Sequence, residues 1–217
     1  MSIPSDSFQK RVLDWFDQHG RKDLPWQQAI NPYRVWVSEI MLQQTQVSSV
    51  IAYYKRFMER FPNLDDLAQA EQDEVLQYWA GLGYYARARN LHQTARLIMQ
   101  QGGAFPQTSA ALEALPGIGR STAGAILSIA CGQSQAILDG NVKRVLSRFA
   151  AVEGWPGDPK VARQLWQISE QLTPSDRTAD YTQAMMDLGA TLCTRSRPRC
   201  HECPLVEHCQ AYQQNQV

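Results

Sequence analysis

Residues 112–130 read LEALPGIGRSTAGAILSIA, with Leu115-Pro116-Gly117-Ile118-Gly119 parting two short helical patterns. Without side chains at Gly117 and Gly119 the backbone can turn tightly and bring its amides close to a ligand. The second helix opens beside those glycines, and a helix N-terminus adds partial positive charge, so the hairpin suits a phosphate. Arg120, Ser121 and Thr122 supply further donors. An ordinary helix turn, in which glycine simply ends one helix, fits the same residues.

On either side of this hairpin apolar residues recur at helical spacing, as in Phe8, Val12, Trp15 and Phe16 before Gly20, or Ala88, Leu91, Ala95 and Ile98 before Gly102. Further helices are expected near 33–60, 72–80, 109–114, 120–131, 141–151, 159–172 and 179–192. Only Gln135 to Leu138 reads as extended, too short to build a sheet, so the fold class is all-α. At 217 residues and 44% apolar content the chain can form one large domain or two small ones. No apolar run approaches the roughly 18 residues of a membrane span, and no secretory or lipidation signal is visible. A cytoplasmic protein that does not engage membranes is expected.

Twenty-one basic residues balance twenty-one acidic ones, so bulk charge points to no partner. The distribution is uneven. Residues 84–149 hold Arg87, Arg89, Arg96, Arg120, Lys143, Arg144 and Arg148 against Glu113 and Asp139, a net +5 that suits either a solvated surface or a polyanion-binding face.

Two carboxylates stand in unusual settings. Glu39 interrupts Val35-Trp36-Val37-Ser38-Glu39-Ile40-Met41-Leu42, and a carboxyl in so apolar a helix is either on its one wet stripe or carries a raised pKa suited to a general acid. Asp139 follows Ala136-Ile137-Leu138 and precedes a helix beginning near Asn141. It can cap that helix, whose N-terminus would also keep it ionised. Asn141 can serve the turn or a neighbouring ligand.

Four of five cysteines, Cys193, Cys200, Cys203 and Cys209, form C-x6-C-x2-C-x5-C. Four thiolates select zinc or an iron–sulfur centre. Structural zinc sites place ligands in close pairs, and only Cys200 and Cys203 form one, which favours a 4Fe-4S cluster. Two disulfides are a weaker fit without a secretory signal, and Cys131 stands apart.

The hairpin, Asp139 placed 20 residues after Gly119, and the cysteine run together resemble the helix-hairpin-helix DNA glycosylases that carry an iron–sulfur cluster. Two branches share these features. The endonuclease III branch, acting on oxidised pyrimidines, carries a catalytic lysine in GxGxKT where this chain has Ser121, and an apolar residue at the place of Glu39. The MutY adenine glycosylase branch carries that glutamate in VSEIMLQQTQV, matched from Val37 to Val47, and GLGYYxR, matched from Gly81 to Arg87. LDGNVKRV, QAMMDLGA and CTRSRPRC are similar to the same branch.

The resemblance implies two helical lobes, residues 28–136 with the hairpin and residues 1–27 with 137–217 carrying the cluster loop, with an active cleft between them. It implies a monomeric, monofunctional enzyme that excises adenine opposite 8-oxoguanine or guanine from double-stranded DNA. Glu39 would protonate adenine N7, Asp139 would face the sugar cation, and Asn141 would position water or sugar. Gln43 and Tyr84 would fill the gap left by the flipped base. Gly117, Gly119, Ser121 and Lys143 would meet phosphate, Trp26 and Gln183 would line the base pocket, and Cys193, Cys200, Cys203 and Cys209 would bind the cluster, ordering Arg195, Arg197 and Arg199 toward DNA. An oxidised-pyrimidine glycosylase/lyase and a noncatalytic mismatch-binding module are the alternatives.

Overall fold

The computed structural model describes residues 3–217, and among them every regular element is helical. The α-helices are α1 (Ser5–His19), α2 (Pro32–Leu42), α3 (Val47–Arg60), α4 (Leu64–Gln69), α5 (Gln72–Trp79) and α6 (Ala86–Gln100), then α7 (Ser109–Glu113), α8 (Arg120–Cys131), α9 (Gly140–Phe149), α10 (Pro159–Leu172), α11 (Thr178–Asp187) and α12 (Gln210–Gln213). None of the described helices is long and apolar enough to cross a membrane.

The chain divides into two compact units, Lys22–Cys131 and Met1–Arg21 with Gly132–Val217. The first division falls at residue 22 rather than 28 because Leu24 and Trp26 are buried in the core of the Lys22–Cys131 unit. The second falls at Gly132, whose φ of 65° ends α8 in a left-handed turn suited to glycine.

Within Lys22–Cys131, α2 is apolar around most of its circumference and lies centrally. Asn31 caps it, its Oδ1 accepting from Arg34 N at 2.9 Å, and Pro32 presets the first turn. Trp36, Val37 and Met41 are fully buried among Ala123, Ile126 and Leu127 of α8 and Leu91 and Ile98 of α6. The single helical stretch expected over 33–60 is broken between α2 and α3, where Gln44 takes a φ of 56°. Periodicity also missed α4, which Asn63 starts by accepting from Asp66 N at 3.0 Å.

The hairpin forms as α7, a turn and α8. Gly117 has φ 78°, and a Cβ there would sit 2.9 Å from Asn90 Cβ, so the position requires glycine twice over. Thr94 Oγ1 donates to Pro116 O at 2.9 Å, and Leu115 and Ile118 are buried beneath the turn.

The other unit packs α1 against α11, with α9 and α10 alongside. Its polar anchor is Asp187, fully buried at the end of α11. Oδ2 accepts from Arg21 N at 2.8 Å, while Oδ1 accepts from Arg21 Nη2 at 2.6 Å and from Gln183 Nε2 at 3.2 Å. A buried carboxylate of this kind is costly once its partner is gone. Arg21→Ala is therefore expected to destabilise the protein by about 3 kcal/mol or more, read as a lower midpoint in urea unfolding; a loss below about 1 kcal/mol would count against the anchor.

Candidate functional site

In the Lys22–Cys131 unit Glu39 lies on α2, half-buried between the buried Ser38 and Ile40. Gln43, also half-buried, follows the end of that helix. Tyr84 is 62% exposed and holds a φ of 47° in the loop between α5 and α6. Gly81 precedes it with φ 103°, and a Cβ there would lie 2.0 Å from Tyr53 Oη. Both segments meet Arg87, a buried residue in the first turn of α6. Its Nη1 donates to Ile40 O at 3.0 Å, Met41 O at 2.9 Å and Gln43 O, and its Nη2 to Thr45 Oγ1 at 3.1 Å, Leu82 O at 3.3 Å and Gly83 O at 3.4 Å. Burial lowers the Arg87 pKa. Gly117, Gly119 and Ser121 sit together at the hairpin and the start of α8, with both glycines exposed and Ser121 half-buried. Trp26 is buried edge-to-face against Tyr54, ring centroids 5.5 Å apart, as a core residue of this unit.

In the other unit Asp139 caps α9, Oδ1 accepting from Val142 N at 2.8 Å. Asn141 Nδ2 donates to Asp139 Oδ2 at 3.3 Å, and Arg144 Nη2 donates to Asn141 Oδ1 at 2.9 Å and to Gly189 O at 2.6 Å. Arg144 Nε donates onward to Cys193 O at 2.6 Å. The close crossing needs Gly189, where a Cβ would lie 2.5 Å from that of Asn141. Lys143, half-buried, is on the same helix. The Asp139 carboxyl meets the capping expectation but departs from the expectation that the helix N-terminus keeps it ionised. Protein crowds it although the residue keeps partial solvent access, and burial raises its pKa more than Val142 N, Asn141 and Arg144 lower it. Gln183 is engaged with Asp187, at 3.2 Å.

Cys193, Cys200, Cys203 and Cys209 line one pocket with Arg148, Leu192 and Leu205. No disulfide joins any of the five cysteines. Among the described residues no three His, Cys, Asp or Glu side chains are arranged to hold a single metal ion. Burial pushes the Cys203 thiol up to about 11 and raises those of Cys200 and Cys209, and neighbouring thiolates push each of them further. Four sulfurs lining one pocket repel one another when ionised, and a centre of several cationic irons offsets that repulsion, so the donor set fits an iron–sulfur cluster. Arg148 Nη1 adds a donor to Cys193 Sγ at 3.3 Å and holds Thr194 O at 2.8 Å.

Four members of the basic block bond backbone carbonyls of the chain itself, although only Arg87 among them is buried. Arg87, Arg144 and Arg148 bond the groups named above, and Arg96 donates to Ala68 O and Ala70 O at 3.1 Å each. Arg89, Arg96 and Arg120 are exposed. Sequence reading passed over Arg87 and Arg144 as site-building residues. The available signals were an arginine beginning a helix just after Gly81-Leu82-Gly83, and Arg144 three residues beyond Asn141 on one helical face.

The chain is similar to proteins named adenine DNA glycosylase. That of Buchnera aphidicola (subsp. Baizongia pistaciae) is 46% identical over 97% of this chain and 60% of its own length, and that of Homo sapiens is 48% identical over 95% of this chain and 40% of its own. The chain thus spans about three fifths of the bacterial relative and two fifths of the human one. Among solved structures it is similar to a thermostable thymine-DNA glycosylase, with a TM-score of 0.86 and 26% identity over 97% of both chains. The fold is also that of endonuclease III in a noncovalent DNA complex, TM-score 0.79 at 21% identity over 98% of both chains. Residues 193–209 match the iron-sulfur binding domain of endonuclease III, and the cofactor of this loop is a 4Fe-4S cluster. Residues 37–171 run from Glu39 through Tyr84 and the hairpin to Asp139 and match the model of HhH-GPD superfamily base excision DNA repair proteins, the family to which this chain belongs.

Proposed function

We propose that the chain is a monofunctional adenine DNA glycosylase that removes adenine mispaired with 8-oxoguanine or guanine, hydrolysing the N-glycosidic bond to leave an abasic site. The observation that carries the reading is Glu39, half-buried in the apolar helix α2 between the buried Ser38 and Ile40. Relatives bearing the adenine glycosylase name, Ser121 in place of a hairpin lysine, and Asp139 held by Val142 N and Asn141 support it.

Adenine is a poor leaving group, so its departure calls for protonation of the base and stabilisation of the sugar cation. Glu39 gives its proton to N7 as the C1′–N9 bond breaks, the bonding pair leaving with the base. Asp139, as the carboxylate, faces the oxocarbenium ion at C1′. An anion kept from water interacts strongly with a cation that forms beside it, and the burial that raises the Asp139 pKa therefore favours the charge-separated state. Glu39 then takes a proton from the water that adds at C1′, and free adenine and the abasic sugar result. Asn141, oriented by Arg144, keeps an N–H on Asp139 and guides sugar or water.

Extruding the base costs a few kcal/mol, less at a mispair. Gln43 and Tyr84 occupy the vacated stack, and the amides at Gly117, Gly119 and Ser121 hold phosphate with Lys143. Trp26, buried in the core of its own unit, and Gln183, whose amide also meets Asp187, are assigned to the base pocket. Cys193, Cys200, Cys203 and Cys209 hold the cluster, which fixes the Arg195–Arg199 loop against the DNA backbone. The protein acts as a monomer in the cytoplasm, on nucleoid DNA.

The test incubates the protein with duplexes carrying A opposite 8-oxoguanine, A opposite G, or an oxidised pyrimidine, then assays released base and abasic sites. Adenine release is expected from the first two only, and pyrimidine release would overturn the reading. Glu39→Gln should slow adenine release by about 100-fold or more in single turnover; an unchanged rate would remove Glu39 from the chemistry.

Asp139→Asn should abolish release while keeping the helix cap, since asparagine caps as well as aspartate. Its effect on stability has a definite sign. Because burial raises the Asp139 pKa, the folded state holds the proton more tightly than the unfolded chain, and that contribution is lost as pH rises through the folded pKa. Asn avoids the ionised, desolvated state, so the variant should melt at or above the wild-type Tm at neutral pH, with the difference shrinking in acid. A lower Tm at neutral pH would contradict this. Cys200→Ser should lose iron and weaken DNA binding, measured by iron content and by binding of a duplex, and full binding without iron would separate the loop from DNA.

A further inference from the structure

Gln43 and Tyr84 lie 41 positions apart in sequence on two different segments, yet one side chain holds both. All six acceptors of the Arg87 guanidinium are backbone carbonyls or the Thr45 hydroxyl, three on the end of α2 and its extension, one at Thr45 and two in the Leu82–Gly83 turn. A buried cation bonded only to neutral groups, with its Nε left without a partner, gives little net stability for its desolvation, so its value lies in the geometry it fixes. Two non-glycine residues in the left-handed region, Gln44 and Tyr84, flank the bonded carbonyls of Gln43 and Gly83. Such conformations persist only where the surroundings over-determine them. The guanidinium also lies 5.5 Å from the Tyr84 ring centroid and 5.3 Å from that of Trp79, whose Nε1 donates to Gly83 O at 3.1 Å. The exposed Tyr84 ring is thereby oriented from below by a cation that is itself bonded to the carbonyl of Gln43.

We infer that Arg87 is a positioning residue for mispair recognition: it sets the spacing and orientation of Gln43 and Tyr84 so that the two enter the duplex as one rigid wedge. This rests on the assignment of those two residues to the DNA stack. Lysine cannot substitute, because a single ammonium with three donors cannot span carbonyls on two segments as a planar five-donor fork does.

The test is a double-mutant cycle on Arg87→Lys and Tyr84→Ala, reading the ratio of Kd values for duplexes with A:T and with A opposite 8-oxoguanine, the adenosine carrying a 2′-fluoro group that blocks cleavage. Arg87→Lys should reduce the preference for the mispair about tenfold while binding of the A:T duplex changes by less than about twofold, because phosphate contacts dominate the latter. In the Tyr84→Ala background the same substitution should change the preference by about threefold or less, since one of the two elements it positions is gone and only Gln43 remains. A purely structural arginine would instead weaken both duplexes, and its effect would add to that of Tyr84→Ala. Additivity, or an unchanged preference in Arg87→Lys, overturns the inference. If Arg87→Lys does not fold by circular dichroism, Thr45→Val removes one acceptor and should lower the preference in the same direction by about threefold; no change there overturns it equally. A wild-type protein without mispair preference would sink the functional reading and this inference together, whereas a discriminating wild type with an indifferent Arg87 sinks this inference alone.

Discussion

Backbone carbonyls outside regular hydrogen bonding need donors, and in the irregular segments of this protein arginine supplies many of them. Helices leave their last carbonyls unpaired, and irregular turns leave more. Arg87 answers those of α2 and the Leu82–Gly83 turn, Arg96 those of Ala68 and Ala70, and Arg144 and Arg148 those of the cysteine loop. Each of the irregular segments bearing Gln43, Tyr84 and the cluster cysteines is therefore held by a side chain on a neighbouring helix. Breaks between the short α-helices draw on that device, because the turns pair some of their own amides and carbonyls and leave others for a side chain to meet.

The same constraint explains what could be read in the sequence and what could not. The all-α class was legible because apolar spacing around Trp36, Leu91 and Ile126 follows the helix period, and the hairpin because Pro116, Gly117 and Gly119 leave few alternatives. The break at Gln44 was not, since a left-handed glutamine leaves no compositional trace. The basic stretch from Arg87 to Arg148 suggested either a solvated surface or a face for polyanions, and four of its members, Arg87, Arg96, Arg144 and Arg148, bond carbonyls of the chain itself. Sequence counts charge without direction, and a guanidinium that reaches carbonyls is indistinguishable in a list from one that reaches phosphate. Asp139 shows a similar limit. Its capping role was readable from the residues that follow it, but the competition between burial and three local donors is decided by packing that no local pattern records.

Asp139 and the cysteine loop are not independent features. Asn141 and Arg144 connect the carboxylate to the Cys193 carbonyl through hydrogen bonds of 3.3, 2.9 and 2.6 Å. Gly189 permits the close crossing on which that connection relies. In such a chain of bonds each member restricts the orientation of the next, so the rigidity of a metal-bound loop is available to a carboxylate it never touches.

The unit that holds the cysteines is assembled from both ends of the sequence, Met1–Arg21 and Gly132–Val217, while Lys22–Cys131 is continuous. During synthesis α1 precedes its partners α9, α10 and α11 by more than 100 residues, and the ion pair between Arg21 and Asp187 spans 166 positions. The continuous unit can complete its core while residues beyond 131 are still being added. Chain order thus imposes a schedule: the hairpin-bearing unit can fold early, whereas closure of the second waits on a long-range contact and its loop entropy. The first helix must remain soluble in the interval, and its alternation of Lys10, Arg11, Asp14 and Asp17 with the apolar Phe8, Val12 and Phe16 suits a segment that waits in water before it packs.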